Sequence, residues 1–390
     1  MREVLRSRTL MAAVVAYAAA ITASNLIPLQ VAAFATRQHL NNVQIGTVAL
    51  CEVMALALTT IFATALSPRQ GRIAGINGPV AVVVGQIVSL WLPGLLSLCI
   101  VRALVGVGCG LAGAIVSRAI AASSPAPAAF GLSNGLSAVM IGSLLGAIPW
   151  FPSADPGIRV FVPLAMLGAV IAVTVHVATR DMPIVDCSNH KVGSTDATPG
   201  ILIVPTLALC AATLLIYIPL GGIWTFSVEL GVGLGLSERQ VGALLIFAVF
   251  GGLVGGATAA WTEQRVGIAR SLVIGAASCV ASCIAVGWAR GAWSFGFAFC
   301  LYSGAYQFAI SALQVVGSMA DIRGRVPAIL LGMTLVGYAI GSYVVGYLLE
   351  IERPQLIWAA GCWACALAVA PSLMAVRWIA TKQKRAGVRA

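Results

Sequence analysis

The sequence predicts an all-α membrane protein of twelve transmembrane helices arranged as two pseudo-symmetric six-helix bundles. Three observations carry that expectation. Hydrophobic residues make up 60% of the 390-residue chain and charged residues 9%, whereas a water-soluble domain carries roughly 25% charged residues. That charge is too sparse to cover a water-facing surface. Apolar runs of about 20 residues, the length that crosses the hydrocarbon core, recur twelve times. The second six runs also repeat the first six at a spacing of 196 residues.

In chain order, the first set of spans is expected at 9–31, 43–66, 73–92, 94–117, 129–150 and 160–179, and the second at 201–226, 240–261, 270–289, 292–315, 327–349 and 356–379. The run from Thr9 to Val31 follows a basic start but is long enough to remain as a span rather than a cleaved signal. Trp91, Trp150, Trp288, Trp293, Trp358 and Trp378 fall at span ends, where their amphipathic rings anchor helices at the interface. With the N-terminus inside, cytoplasmic segments hold 17 basic residues and outer loops hold 5. A miscounted span near the middle would erase that bias, so the count is even and both termini are expected in the cytoplasm. The formal charge of +11 does not indicate nucleic acid, because the basic residues are scattered singly between apolar runs.

The repeat divides the chain into an N-terminal bundle at 1–180, a cytoplasmic linker at 181–200 and a C-terminal bundle with a basic tail at 201–390. Leu40-Asn-Asn-Val-Gln-Ile-Gly46 returns as Leu236-Ser-Glu-Arg-Gln-Val-Gly242, and Arg69-Gln-Gly71 as Arg265-Val-Gly267. The linker is polar and contains Pro183, Gly193 and Pro199, which suits a flexible connection. Two parallel repeats can rock against each other and expose a midplane site to alternate sides.

Several chemistries find no support. Nearly all ten cysteines lie in apolar runs, and the Cys362-x-x-Cys365 pair sits mid-span without a nearby His or basic residue, which suits packing. His39, His176 and His190 are scattered, so no metal site is expected. No phosphate-binding loop or other cofactor motif is present. An intramembrane enzyme needs a nucleophile and base, or several metal ligands, at one depth. The spans offer no such set, so no catalytic residue is assigned.

The motifs bring a family into view. Arg102-Ala-Leu-Val-Gly106-Val-Gly108-Cys-Gly110 in the fourth span resembles the arginine and spaced glycines of the major facilitator superfamily. Arg69-Gln70-Gly71-Arg72 is similar to the tail of that family's loop between spans two and three, and Asp321-Ile-Arg323-Gly-Arg325 to its acid-led basic loop between spans ten and eleven. These residues are candidate gating loops. Pro68 stands where the loop motif carries an aspartate, and the fifth span lacks the Gly-Pro pair of many drug–proton antiporters, to which the resemblance is loose. The resemblance implies a secondary transporter in which spans 1, 4, 7 and 10 line the cavity.

Glu52 and Arg102 lie well inside spans 2 and 4 at similar depths. A charge at the bilayer centre costs about 2.5–3.5 kcal/mol on insertion scales, so neither belongs against lipid. Their functional reading is proton uptake at Glu52 with Arg102 tuning it or holding an anion; their structural reading is a static pair that fixes helix register. Ser303, Gln307, Ser311 and Gln314 share one face of span 10, flanked by Tyr302 and Tyr306. Such a polar face belongs toward a wet cavity or another helix. With Asn25 in span 1 and Tyr217 and Trp224 in span 7, the residues Arg102, Tyr302, Tyr306, Gln307 and Gln314 form the candidate substrate contacts. Glu229, at the outer end of span 7, is expected at the interface rather than buried.

The sequence therefore leads to a proton-coupled mover of a small organic solute across the inner membrane, with protons and lipid as partners and a monomer as the expected state. Sparse charge and aromatic cavity candidates favour efflux. Uptake of a small organic anion held by Arg102 is the alternative, and a transporter-like receptor or an intramembrane enzyme the remote ones.

Overall fold

The computed structural model describes residues 7–63, 68–121, 123, 126–181, 202–320 and 325–385, together with Val4 and Leu66. These residues are almost entirely helical, and the chain divides into two compact units, Met1–Thr195 and Asp196–Ala390. The expected linker at 181–200 lies almost wholly outside the described residues.

The N-terminal unit contains α1 (Arg8–Asn25), α2 (Ile27–Gln38), α3 (Asn42–Phe62), α4 (Pro68–Val88), α5 (Leu95–Ala121), α6 (Ala126–Ala147) and α7 (Pro156–Asp181). The C-terminal unit contains α8 (Ile203–Thr225), α9 (Ser227–Gly233), α10 (Glu238–Val266), α11 (Ile268–Gly287), α12 (Ala292–Ala320), α13 (Arg325–Glu350), α14 (Pro354–Leu367) and α15 (Val369–Arg385). Among the described residues, ten helices or continuous helix pairs are long and apolar enough to cross a membrane, and the bent pair α1–α2 makes an eleventh. The remaining expected crossing is α4, whose apolar part is the shorter stretch Ile73–Val88 because its start carries Arg69, Gln70 and Arg72.

Local chemistry explains where these helices break. Between α1 and α2 the chain bends by 42°. Pro28 has no N–H to give the Ser24 carbonyl, and Asn25 instead donates to the Ile21 carbonyl at 2.9 Å. Entry into α3 and into α10 uses the same device. Asn41 and Gln44 form a reciprocal capping box, as do Ser237 and Gln240. That pair of motifs sits at the expected spacing of 196 residues, but the spacing is not constant. Corresponding helix starts are separated by 195 residues at Arg8 and Ile203 and by 200 at Pro68 and Ile268. The matching of Arg69-Gln-Gly71 to Arg265-Val-Gly267 therefore fails. The first triplet lies inside α4, whereas Val266 ends α10 and Gly267, at φ +85°, makes a one-residue turn into α11.

Each unit has its own packing, and the scheme is the same in both. In the first, α5 packs on α3 and α4, and α1 packs on α5, α6 and α7. In the second, α12 packs on α10 and α11, and α8 packs on α12, α13 and the α14–α15 pair. The closest crossings are made by glycine. A Cβ on Gly106 would lie 2.1 Å from the Glu52 carbonyl oxygen, and one on Gly108 2.4 Å from that of Gly78. Gly106 and Gly110 thus admit α3, while Gly108, on another face, admits α4. In the second unit Gly251 meets the Cys300 carbonyl and Gly255 that of Gly304, bringing α10 against α12. Backbones that approach this closely gain dispersion contacts where lipid offers no hydrophobic drive between helices.

The outward faces are apolar, the reverse of a soluble protein: Phe62, Leu96, Val139, Phe250 and Phe297 are all exposed. Trp91, Trp150, Trp288 and Trp293 are exposed at helix ends, as interfacial anchors should be. The nine described cysteines are free thiols. Those of the CxxC pack α14 on α11, with the Cys362 thiol 3.7 Å from the Val280 carbonyl.

Candidate functional site

The buried charges meet in the N-terminal unit. Arg102 projects from α5 one turn before Gly106, on the face that glycine opens to α3, and Glu52 sits at that crossing on α3. Arg102 is fully buried and Glu52 is 6% exposed. The contact is a two-point fork: Nε donates to Glu52 Oε2 at 3.0 Å and Nη2 to Oε1 at 2.7 Å. Planar guanidinium and planar carboxylate match in this way, which adds geometric specificity to charge.

Two amides complete the cluster. Arg102 Nη1 donates to Gln86 Oε1 at 2.8 Å from α4, and Nη2 also donates to Gln30 Oε1 from α2. Four of the five guanidinium N–H groups are thereby engaged. Phe34 and Phe161, packed on each other at 5.1 Å, bring their rings to 6.0 and 5.8 Å from the guanidinium carbon. Those distances are within reach of a cation–π attraction, which desolvation strengthens. The arginine thus ties together side chains from α2, α3, α4 and α7. One polar atom is left over: Gln30 Nε2 is buried and has no hydrogen-bond partner among the described residues.

Gln30 and Gln86 were not among the residues selected from sequence. With Gln44, they are the glutamines within the expected spans of the N-terminal half. An amide inside an apolar run is the same signal that picked out the stripe on span 10, so both were open to discovery.

The C-terminal candidates are used differently. Tyr302 is buried and its hydroxyl donates to the Leu220 carbonyl of α8. Tyr306 packs at a tilt of 50° against the buried Tyr217, with centroids 4.2 Å apart. These tyrosines therefore knit α12 to α8. The polar stripe faces another helix over part of its length, since Ser303 and Gln307 lie beside Gly252 and Gly256 of α10. Gln307 is nonetheless exposed, and Ser311 and Gln314 are half-buried. Asn25 and Trp224 are half-buried at the ends of α1 and α8. Asp321 and Arg323 lie outside the described residues, as do the side chains of Arg69, Arg72 and Arg325. Glu229 departs from its expected interfacial place, because both of its carboxylate oxygens are sealed from solvent.

An ion pair at the other end of α2 is of another kind. Arg37 Nη1 meets Asp155 Oδ1 at 2.8 Å, with side chains 26% and 35% exposed, while the same oxygen accepts from the Gly157 amide at the start of α7. Among the described residues no group of three or more His, Cys, Asp or Glu side chains is arranged to hold a metal ion.

No protein-family model matches this chain, and no characterised protein matches it by sequence. Solved structures do match its fold. A mutant of the nucleoside transporter NupG superposes with a TM-score of 0.75 at 11% identity, covering 95% of this chain and 100% of that one. The unmutated NupG structure gives 0.73 at 12% identity, covering 95% and 99%. A bacterial homologue of the human lysosomal transporter Spinster, inward-facing and occupied, gives 0.66 at 14% identity, covering 95% and 97%. The fold is shared from end to end with these transporters.

Proposed function

We propose that this protein is a secondary active transporter that moves a small organic solute across the inner membrane by rocker-switch alternating access, driven by protons. What carries the reading is the end-to-end likeness in fold to solved solute transporters. Both termini are assigned to the cytoplasm from the bias of basic residues, and the working unit is a monomer.

The coupling element in this proposal is the Glu52–Arg102 fork. A proton on Glu52 removes the charge that holds Arg102, and the guanidinium is then free to change partners. In this conformation its donors are occupied by Glu52, Gln86 and Gln30. An organic anion held by Arg102 would have to displace the carboxylate, so uptake of such an anion is the second reading. Efflux is the first, and drug–proton antiport is one form of it. Asn25, Tyr217, Trp224, Tyr306, Gln307 and Gln314 remain proposed solute contacts. Tyr302 is the weakest candidate, its hydroxyl being taken by Leu220. Arg69, Arg72, Asp321, Arg323 and Arg325 are proposed gating residues.

The test is reconstitution into proteoliposomes with an imposed pH gradient, followed by a screen of nucleosides, organic anions and lipophilic dyes. Accumulation of one class that collapses with a protonophore is expected. Gradient-independent movement of every solute would remove the proton from the scheme.

A further inference from the structure

Glu229 lies in α9, beyond the span Ile203–Thr225, where the chain breaks at Phe226 and turns into seven more helical residues. Although the residue as a whole is half-buried, both carboxylate oxygens are sealed from solvent and neither has a hydrogen-bond partner among the described residues. Such a carboxylate cannot stay ionised cheaply. Desolvating an unpaired charge is costly enough that the group takes up a proton instead.

No hydrogen bond from a described residue offsets this. Helix α8 carries no charged residue, and neither does α12, whose Phe295 approaches Gly231 of α9. The start of α10, which packs on α9, carries Glu238 and Arg239. Glu238 repels a second negative charge. Burial, chiefly, pushes the Glu229 carboxyl from 4.5 up to about 8. Its own backbone N–H, which does not reach hydrogen-bond geometry, offsets part of the shift, and Glu238 adds to it.

We infer that Glu229 is a proton-binding site in the C-terminal unit, neutral while its carboxylate stays enclosed. It belongs to the other unit from Glu52 and Arg102 and its test uses no solute, so it stands or falls independently of the transport reading.

The test compares the detergent-purified protein with Glu229→Gln, which copies the shape of the neutral carboxyl. Linkage fixes the sign. Because the folded-state value is raised, the folded chain holds the proton through a window in which the unfolded chain has lost it, from 4.5 to about 8. Stability of the native protein through this group is full below that window and falls as pH rises across it, whereas Gln has nothing to lose. The apparent Tm of the variant should therefore match the native protein at about pH 4.5 and exceed it increasingly up to about pH 8. Independently, the native protein should show a protonated-carboxyl C=O infrared band at neutral pH that disappears at alkaline pH and is missing from the variant. If the Gln variant fails to fold, Glu229→Leu and the alkaline titration of the native band serve in its place. A Tm difference that does not change with pH, or a native band that survives alkaline titration or remains in the variant, overturns the assignment.

Discussion

Removing the Glu52 carboxylate strands a fully buried guanidinium. In Glu52→Ala, Arg102 loses the partners of Nε and of one Nη2 hydrogen, two of its four hydrogen bonds, while remaining fully buried. Breaking a buried ion pair from one side costs about 3–5 kcal/mol, mostly as the penalty of the charge left behind. Neutralising both partners is far cheaper, because no charge then remains to desolvate. The double variant Glu52→Gln with Arg102→Met should accordingly be more stable than Glu52→Ala alone, with a coupling energy of about 1–3 kcal/mol in the cycle. Denaturant-induced unfolding in mixed micelles, completed with both single variants, measures each corner. If Glu52→Ala costs under about 1 kcal/mol, or the two sites simply add, the fork does not hold this cluster together.

Three further outcomes follow from particular contacts. Gly106→Ala should destabilise by about 1–3 kcal/mol, the usual range for overpacking, because its methyl would lie 2.1 Å from the Glu52 carbonyl oxygen. Gly113→Ala, whose nearest neighbour would be Ala20 Cβ at 4.0 Å, is the matched control and should be near neutral. Tyr302→Phe should cost about 0.5–1.5 kcal/mol through loss of one hydrogen bond to Leu220, read as a lower apparent Tm. Asp155→Asn should cost less than about 1 kcal/mol, since partial exposure of Arg37 and Asp155 lets water screen the pair; a larger loss in the same unfolding assay would make it a structural clamp.

The sequence disclosed most strongly what lipid demands and least what helix neighbours decide. Uniform apolar runs are compulsory where no water satisfies the backbone, so most crossings were readable. The exception, α4, reads as shorter because basic residues occupy its first turn. Glu52 and Arg102 stood out because a charge within a span is rare, and their similar depths permitted pairing. What depth cannot tell is who else attends: Gln30 arrives only because Pro28 redirects α2, and Gln86 only because Gly108 lets α4 approach α5. Tyr302 and Tyr306 were legible as a flank of the polar stripe but not as links to α8. Glu229 was misjudged because its position at the end of a span suggests water, whereas α9 continues the helix past the break and its carboxylate is enclosed.

In the proposed coupling, a proton on Glu52 drives solute movement. Once the solute class is known, the most direct measurement compares native protein and Glu52→Gln in the same proteoliposomes, under a pH gradient and under solute exchange at equal pH. The variant should exchange solute but no longer accumulate it against a gradient. Undiminished accumulation by Glu52→Gln would contradict it, leaving the fork with Arg102 as architecture alone.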